Sequence, residues 1–157
     1  MIEFRLNDRP TQVDVAPMAS LASVLRERLA LAGTKVACAE GFCGSCTILL
    51  DDEPVAACLL PVAHVAGRTV RTVEGLASRD GLSPLQQALE DADAVQCGMC
   101  FPGILVSLTA LLERARRPTK PQVHDALVGN VCRCTGYERV VSAVLRLADE
   151  DVREART

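Results

Sequence analysis

Aromatic residues are scarce in this chain of 157 residues. Tryptophan is absent, and the aromatic side chains are three Phe and one Tyr. A protein that stacks nucleic-acid bases on aromatic rings is therefore not expected. A basic excess is lacking as well, since the formal net charge is -3 and the pI is near 5.4. Without that excess, phosphate binding would release few counterions, so nucleic acid is not an expected partner.

From its sequence, the chain is expected to have neither an export signal nor an uninterrupted membrane span. Three charged residues among the first eight break any apolar leader segment. The longest uncharged stretch, residues 94–112, has 19 residues, which is long enough to raise the question of a membrane span. Gln96 and Pro102 are among the residues that interrupt its apolar character. We therefore expect a soluble, cytoplasmic protein without a membrane span.

Cysteine is the informative residue type. In a chain without an export signal, thiols are expected to stay reduced, so four disulfides are not expected from the eight cysteines. Eight reduced thiols in two groups of four indicate two metal or cluster sites. The first set comprises Cys38, Cys43, Cys46 and Cys58, and the second set comprises Cys97, Cys100, Cys132 and Cys134.

The N-terminal half has the pattern of a small α+β domain. Apolar and polar residues alternate in several short segments, and two of these segments flank an acidic turn, as in a hairpin. Ser20 is expected to cap a helix that ends at Gly33. The expected strands cover residues 2–6, 11–15, 47–50, 55–58 and 68–73.

The C-terminal half has helical periodicity. Four short amphipathic helices are expected, opened by Ser83, Pro102, Thr119 and Thr135. Each half has about 75 residues, a size at which a metal site commonly supplements the hydrophobic core. We therefore expect each half to fold around its own inorganic centre.

The first set has the spacing of a plant-type ferredoxin site for a [2Fe–2S] cluster. Its motif is Cys-x4-Cys-x2-Cys, and eleven residues separate Cys46 from Cys58. Gly41 and Gly44 permit positive φ and a close approach where the chain wraps around the centre. Structural zinc sites more often show two paired knuckles, so the spacing favours an iron–sulfur cluster.

The second set is less specific by itself. Its Cys-x2-Cys and Cys-x-Cys motifs could hold zinc or a cluster. Cys100 precedes the helix opened by Pro102, and Cys134 precedes the helix expected from Thr135. Helix N-termini favour an anionic thiolate centre, but they suit both metals equally. The choice stays open on spacing alone.

Four motifs in order carry a family resemblance over nearly the whole chain. They resemble the iron–sulfur subunit of the molybdenum hydroxylases, the family of xanthine dehydrogenase, aldehyde oxidoreductase and carbon monoxide dehydrogenase. Departures from the common pattern occur at Ser45, Met99 and Phe101, and none of them is a cysteine. The motifs are Cys-Ala-Glu-Gly-Phe-Cys-Gly-Ser-Cys-Thr (38–47), Thr-Val-Glu-Gly-Leu (72–76), Gln-Cys-Gly-Met-Cys-Phe-Pro-Gly (96–103) and Gly-Asn-Val-Cys-Arg-Cys-Thr-Gly-Tyr (129–137).

The resemblance implies a fold, two cofactors and two partners. It implies a β-grasp ferredoxin-like domain (1–76), a linker (77–82) and a four-helix bundle (83–157), and each domain would hold one [2Fe–2S] cluster. Electrons would run from molybdopterin in a large catalytic subunit to the second set, on to the first set, and out to FAD in a medium subunit or to another acceptor such as a cytochrome. Gln96 and Cys134 would face the pterin, and no catalytic residue is expected in this chain.

Two other function classes stay open beside this interpretation. A zinc-stabilised interaction module without a redox role would contain zinc and no labile sulfide. A thiol redox sensor would need exposed cysteines of low pKa, whereas these cysteines fall in two sets of four.

Overall fold

The computed structural model describes residues 1–77 and 81–154. The N-terminal half forms a five-stranded mixed sheet in the order β2-β1-β5-β3-β4. The strands are β1 (Ile2–Leu6), β2 (Arg9–Val13), β3 (Thr47–Leu50), β4 (Glu53–Ala56) and β5 (Thr69–Arg71).

Two tight hairpins form the outer parts of the sheet. β1 pairs with β2 through Asn7-Asp8, and β3 pairs with β4 through Asp51-Asp52. All four turn residues have positive φ, as two-residue hairpin turns of this kind require. Because the turns are so short, each returning strand begins earlier than predicted and includes Pro10 or Pro54. These prolines are tolerated because β2 and β4 are edge strands.

The central strand β5 joins the two hairpins. It runs parallel to β1 and antiparallel to β3. It covers three residues rather than the predicted 68–73, because the chain turns into a 3-10 helix at Val73–Gly75. Val70 at its centre is fully buried.

One short helical segment covers the sheet. It begins as α1 (Leu21–Ser23) and continues as a π-helix over Val24–Arg28, so the helix predicted to run to Gly33 is shorter than expected. Positive φ at Ala30 (56°) ends the helical path. Leu21 and Leu25 are fully buried in the core beneath the sheet.

Four helices form the C-terminal half. α2 packs against α3 and α5, and α4 packs against the same two helices. The predicted capping boxes at Ser83 and Thr119 are confirmed. Among the described residues, no helix combines the length and the apolar character needed to cross a membrane. The helices are α2 (Pro84–Asp91), α3 (Phe101–Arg114), α4 (Lys120–Leu127) and α5 (Glu138–Glu154).

The predicted start of the last helix at Thr135 is wrong. α5 begins at Glu138, because Gly136 and Tyr137 both have positive φ (63° and 65°), which no right-handed helix accommodates. The predicted linker 77–82 and the predicted end of the second domain lie partly outside the described residues, which omit 78–80 and 155–157.

The two halves share a packed interface. One core lies between the sheet and α1, and another lies among the four helices. A third cluster joins them, in which Leu49 of β3 packs against Val106 and Ala110 of α3. α3 therefore contacts the sheet on one side and α4 on another, and it holds the two cysteine-bearing regions together.

Candidate functional site

The first cysteine set is gathered by a loop and a hairpin. The first cysteine loop (residues 35–46) leads into β3, and Cys58 follows β4. Lys35 N–H donates to Ser45 O (3.2 Å) and closes the loop. Ala57 N–H donates to Cys46 O (3.3 Å), which brings Cys58 beside Cys46. All four predicted residues of the first set thus lie in one region of the fold.

Backbone N–H groups in the first cysteine loop point at sulfur. Glu40 N–H and Cys43 N–H both donate to Cys38 Sγ, each with an N···S distance of 3.4 Å. These hydrogen bonds lower the pKa of Cys38 to about 6, and the bond from Glu40 has the largest effect. Gly41 and Gly44 have φ of 72° and 68°, which lets the chain wrap around the thiolate as predicted. The loop therefore favours an anionic sulfur.

The thiols of the first set interact in pairs. Burial raises the pKa of Cys46 to about 11, and the neighbouring Cys58 thiol contributes to the shift. Cys38 in turn interacts with the Cys43 thiol. Within the first set, Cys46 is buried, whereas the other three cysteines are half-buried.

The second cysteine set lies where two interhelical connections meet. Cys97 and Cys100 lie between α2 and α3, with Cys100 directly before α3, whereas Cys132 and Cys134 lie between α4 and α5. The sulfur atoms of Cys97 and Cys134 are 3.7 Å apart. All four cysteines line one small pocket. The predicted convergence is present, with the N-terminus of α3 adjacent to it.

This set also forms two pairs. The Cys97 thiol raises the pKa of Cys134. Burial raises the pKa of Cys100 to about 12, and the Cys132 thiol adds to this effect. Burial by itself would raise the pKa of Cys132, but hydrogen bonds to its sulfur outweigh burial and lower this pKa. The strongest of these bonds involves Thr135, whose Oγ1 lies 3.1 Å from the sulfur.

Gln96 lies beside the second set. Its Nε2 donates to Cys134 O at 3.1 Å, so the side chain spans the two connections that carry the cysteines. Both Gln96 and Cys134 are exposed. They are thus available to a group outside the chain.

Direct hydrogen bonds connect the two cysteine regions. Val131 N–H donates to Cys43 O (2.9 Å), and Asn130 Nδ2 donates to Gly44 O (3.2 Å). A Cβ at Gly44 would lie 2.0 Å from Gly129 O, so only glycine allows this approach. Val131, which precedes Cys132, is therefore hydrogen-bonded directly to Cys43 of the first set.

Sequence reasoning missed the residues that make this connection. Asn130 is buried, with 3% of its surface exposed, and its role depends on a partner 86 positions away. Tyr137 entered the sequence analysis only as the last residue of the motif 129–137, whereas its hydroxyl accepts a hydrogen bond from the backbone N–H of Cys132. The available signal was that a single Tyr follows Gly136 directly after the last cysteine motif.

The donor chemistry fits clusters of two irons. In the second set, the sulfur atoms of Cys97 and Cys134 are 3.7 Å apart. Hydrogen bonding between thiols also links Cys38 with Cys43, Cys46 with Cys58, and Cys100 with Cys132. A [2Fe–2S] cluster bound by four cysteines takes two thiolates on each iron, which matches paired thiols.

Comparison with known proteins agrees with this chemistry. Residues 4–67 match the family described as the 2Fe-2S iron-sulfur cluster binding domain, and residues 72–145 match the [2Fe-2S] binding domain. The nicotine 6-hydroxylase small subunit of Paenarthrobacter nicotinovorans is 48% identical over 92% of this chain and 87% of its own length. The xanthine dehydrogenase iron-sulfur-binding subunit of Escherichia coli O157:H7 is 40% identical over 92% and 91%.

Solved structures give the same result. The quinoline 2-oxidoreductase of Pseudomonas putida 86 matches with a TM-score of 0.92 and 37% identity, covering 99% of this chain and 97% of that chain. The aldehyde oxidoreductase of Desulfovibrio desulfuricans matches with a TM-score of 0.92 and 39% identity, covering 98% of this chain and 17% of the longer one.

Fold, thiols and similarity together define an α+β electron-transfer protein with two [2Fe–2S] clusters. The chain belongs to the iron–sulfur subunits of the molybdenum hydroxylases, a family of molybdenum-containing oxidoreductases.

Proposed function

We propose that each cysteine set binds one [2Fe–2S] cluster and that the two clusters connect a molybdopterin centre to an electron acceptor. The observation that carries the proposal is the arrangement of the eight cysteines. They are free of disulfides and lie in two convergent sets, and within each set the thiols interact with one another. When bound, such a cluster supplies a site for one-electron oxidation and reduction. The proposed ligands are Cys38, Cys43, Cys46 and Cys58 in the first site and Cys97, Cys100, Cys132 and Cys134 in the second.

The thiol pairs suggest how each site divides its ligands between two irons. In the first site, Cys38 pairs with Cys43 and Cys46 pairs with Cys58. In the second site, Cys97 pairs with Cys134 and Cys100 pairs with Cys132. The burial of Cys46 (3% exposed) excludes water from one side of the first site. Burial and N–H groups at sulfur are the means by which the chain sets a cluster's potential.

The chain also offers a short bonded connection between the two sites. From Cys43, the backbone carbonyl accepts the Val131 N–H at 2.9 Å, and Val131 is covalently bonded to Cys132. Only one hydrogen bond therefore separates the backbone of a first-set ligand from that of a second-set ligand. The interface around Leu49 and Val106 holds this spacing, since both residues are fully buried.

The second site is proposed to face the large molybdopterin-binding subunit. Cys97 and Cys134 are exposed, and Gln96 lies beside Cys134 with its amide bonded to the Cys134 carbonyl. An exposed amide next to an exposed ligand suits a polar pterin outside the chain. Gln96 and Cys134 are therefore the residues we expect to contact the pterin.

The first site is proposed to face the acceptor, an FAD-binding medium subunit. Two exposed apolar side chains lie at the first cysteine loop: Phe42, within the loop, is 75% exposed, and Leu59, which follows Cys58, is 61% exposed. An added Cβ at Gly41 would meet Leu59, so these side chains border the same loop. Exposed apolar side chains at a redox site are suited to burial by a partner protein.

We also propose the finer boundaries of the fold. Residues 1–76 form a β-grasp ferredoxin-like domain, residues 77–82 a linker, and residues 83–157 a four-helix bundle. Separate hydrophobic cores in the sheet and in the helices support this division. Eight unpaired thiols are typical of a reducing compartment, which supports a cytoplasmic location.

The names of the relatives vary in substrate. They include nicotine, nicotinate, isoquinoline, xanthine and aldehydes, yet the matching segments are 38–48% identical to this chain. We infer that substrate choice resides in the large subunit and that this chain has the same electron-transfer role whichever substrate is oxidised.

Metal analysis and electron paramagnetic resonance test the proposal against the zinc-stabilised module. The loaded chain should contain two irons for each of two clusters, with labile sulfide, and show two distinguishable signals after dithionite reduction. One signal with zinc at the second set would remove the route to molybdenum. Zinc alone, without labile sulfide, would replace the proposal by the interaction module.

Reciprocal cysteine variants test the route. Cys132→Ser should abolish electron transfer from substrate to acceptor while the signal of the first cluster stays intact. Cys58→Ser is the matched control, because it should remove the first signal and spare the second. Transfer at the parental rate in Cys132→Ser would show that the proposed order is wrong.

A further inference from the structure

The single tyrosine of the chain lies at a junction of hydrogen bonds beside the second cysteine set. Tyr137 Oη accepts the backbone N–H of Cys132 at 2.7 Å, a short bond for an N–H donor. The same hydroxyl donates to Asn130 O at 2.9 Å. The hydroxyl therefore bridges two points of the turn that presents Cys132.

The bridge continues into the first cysteine loop. Asn130 is buried, and its Nδ2 donates to Gly44 O at 3.2 Å. Tyr137 thus connects the backbone of Cys132 to Asn130 through hydrogen bonds. The side chain of Asn130 is in turn hydrogen-bonded to the first cysteine loop. One hydroxyl and one amide together set the position of Cys132 relative to that loop.

The backbone adopts an unfavourable conformation to place this ring. Tyr137 has φ of 65°, in the left-handed region that residues other than glycine rarely adopt, and it follows Gly136 at 63°. Such a conformation persists only where the surroundings determine it. Here the ring packs against the helical core, and Thr135 Oγ1 accepts the Tyr137 N–H at 3.3 Å.

We propose that Tyr137 is a positioning residue for the second iron–sulfur cluster, because its hydroxyl keeps the Cys132 N–H away from sulfur. This inference rests on the proposed function of the second set. A backbone N–H directed at sulfur stabilises the reduced, more negative state of a cluster, so the number of such bonds affects the reduction potential. By accepting this N–H, Tyr137 keeps the potential of the second cluster lower than that of a site with one more N–H bond to sulfur.

The variant Tyr137→Phe removes the oxygen and keeps the ring. In this variant the Cys132 N–H loses the acceptor that it has in the parent. A partly buried donor takes up another acceptor, and on this proposal that acceptor is sulfur of the second site. One neutral hydrogen bond corresponds to roughly a two- to tenfold change in an equilibrium constant. The midpoint of the second cluster should rise accordingly, and a tenfold change equals about 59 mV for one electron.

The test is a redox titration of the assembled complex, followed by electron paramagnetic resonance. The parent must first show two cluster signals, which tests the proposed function separately. In Tyr137→Phe we expect an upward shift confined to the second signal. Ser83→Ala is the control, since it removes the cap of α2 without touching the turn. Unchanged midpoints, a shift of both signals, or an equal shift in Ser83→Ala would overturn the proposal.

If Tyr137→Phe does not load both clusters, a smaller change at the same hydroxyl tests the proposal. Incorporation of 3-fluorotyrosine at position 137 keeps the hydroxyl but makes it a poorer acceptor and a better donor. The bond to Cys132 N–H weakens and that to Asn130 O strengthens. A smaller upward shift of the second midpoint supports the proposal, and an unchanged midpoint in a fully loaded sample overturns it.

Discussion

Replacement of Gly103 by alanine should separate the two cysteine regions. Gly103 lies in the first turn of α3 and faces the first cysteine loop. An added Cβ would lie 2.0 Å from Gly44 O and 3.1 Å from Asn130 Nδ2. The nearer atom belongs to the backbone, so no side-chain rotation relieves the contact. The two segments must move apart by about 1 Å, and overpacking of this kind costs about 1–3 kcal/mol.

The higher helix propensity of alanine offsets part of this cost, by less than about 1 kcal/mol in a first turn. For a chain of this size, each kcal/mol shifts the melting temperature by roughly 2–4 °C. We therefore expect Gly103→Ala to lower the thermal midpoint by roughly 2–8 °C. The measurement is thermal unfolding of the loaded protein, followed by far-UV circular dichroism and visible absorbance at one fixed scan rate.

Gly129→Ala is the matched control. Gly129 lies in the same contact region, but a Cβ there would meet nothing within 4 Å. Its melting temperature should stay near that of the parent. If Gly103→Ala melted at the same temperature as Gly129→Ala and kept its full iron content, the close approach of α3 to Gly44 would not be required for the fold.

Three further changes have defined outcomes. Leu49→Ala should lower the free energy of unfolding by about 2–5 kcal/mol in urea titrations, because Leu49 is fully buried between the halves; a loss below about 1 kcal/mol would contradict the shared core. Ser83→Ala should cost about 1 kcal/mol in the same assay by removing the cap of α2, and no loss would count against that cap. Asp51→Asn should destabilise the protein at pH 7 and progressively less in acid, in unfolding curves measured across that range. The Thr69 N–H and the Arg68 guanidinium lower the pKa of Asp51, so its contribution is present above the ordinary aspartate pKa and disappears as the pH falls through the lowered one. A difference independent of pH would refute this assignment.

The element types were predictable where local chemistry decides them. Ser83 and Thr119 cap their helices as predicted, because a capping box involves residues only three positions apart. The boundaries were wrong where a rare backbone conformation intervened. Thr135 does not open α5, since positive φ at Gly136 and Tyr137 delays the helix, and short turns bring Pro10 and Pro54 into edge strands.

The candidate ligands were predictable in the same way, because their spacing along the chain reflects how a loop wraps around a cluster. The spacing of Cys38, Cys43 and Cys46 predicted the type of the first site without knowledge of the fold. For the second set, spacing alone left zinc and iron–sulfur open, and the pairing of its thiols comes from the approach of two separate interhelical connections.

By itself, the sequence determined the cysteine sets, the two kinds of secondary structure and the family, because these depend on residue identity and on short spacings. The tertiary structure alone decided the parallel pairing of β1 with β5, the packing of α3 on β3, and the bond from Asn130 to Gly44. Each of these joins residues far apart in the chain, and their free energy comes from burial and from partners that no local pattern specifies. The distance between the two redox sites is therefore a property of the fold.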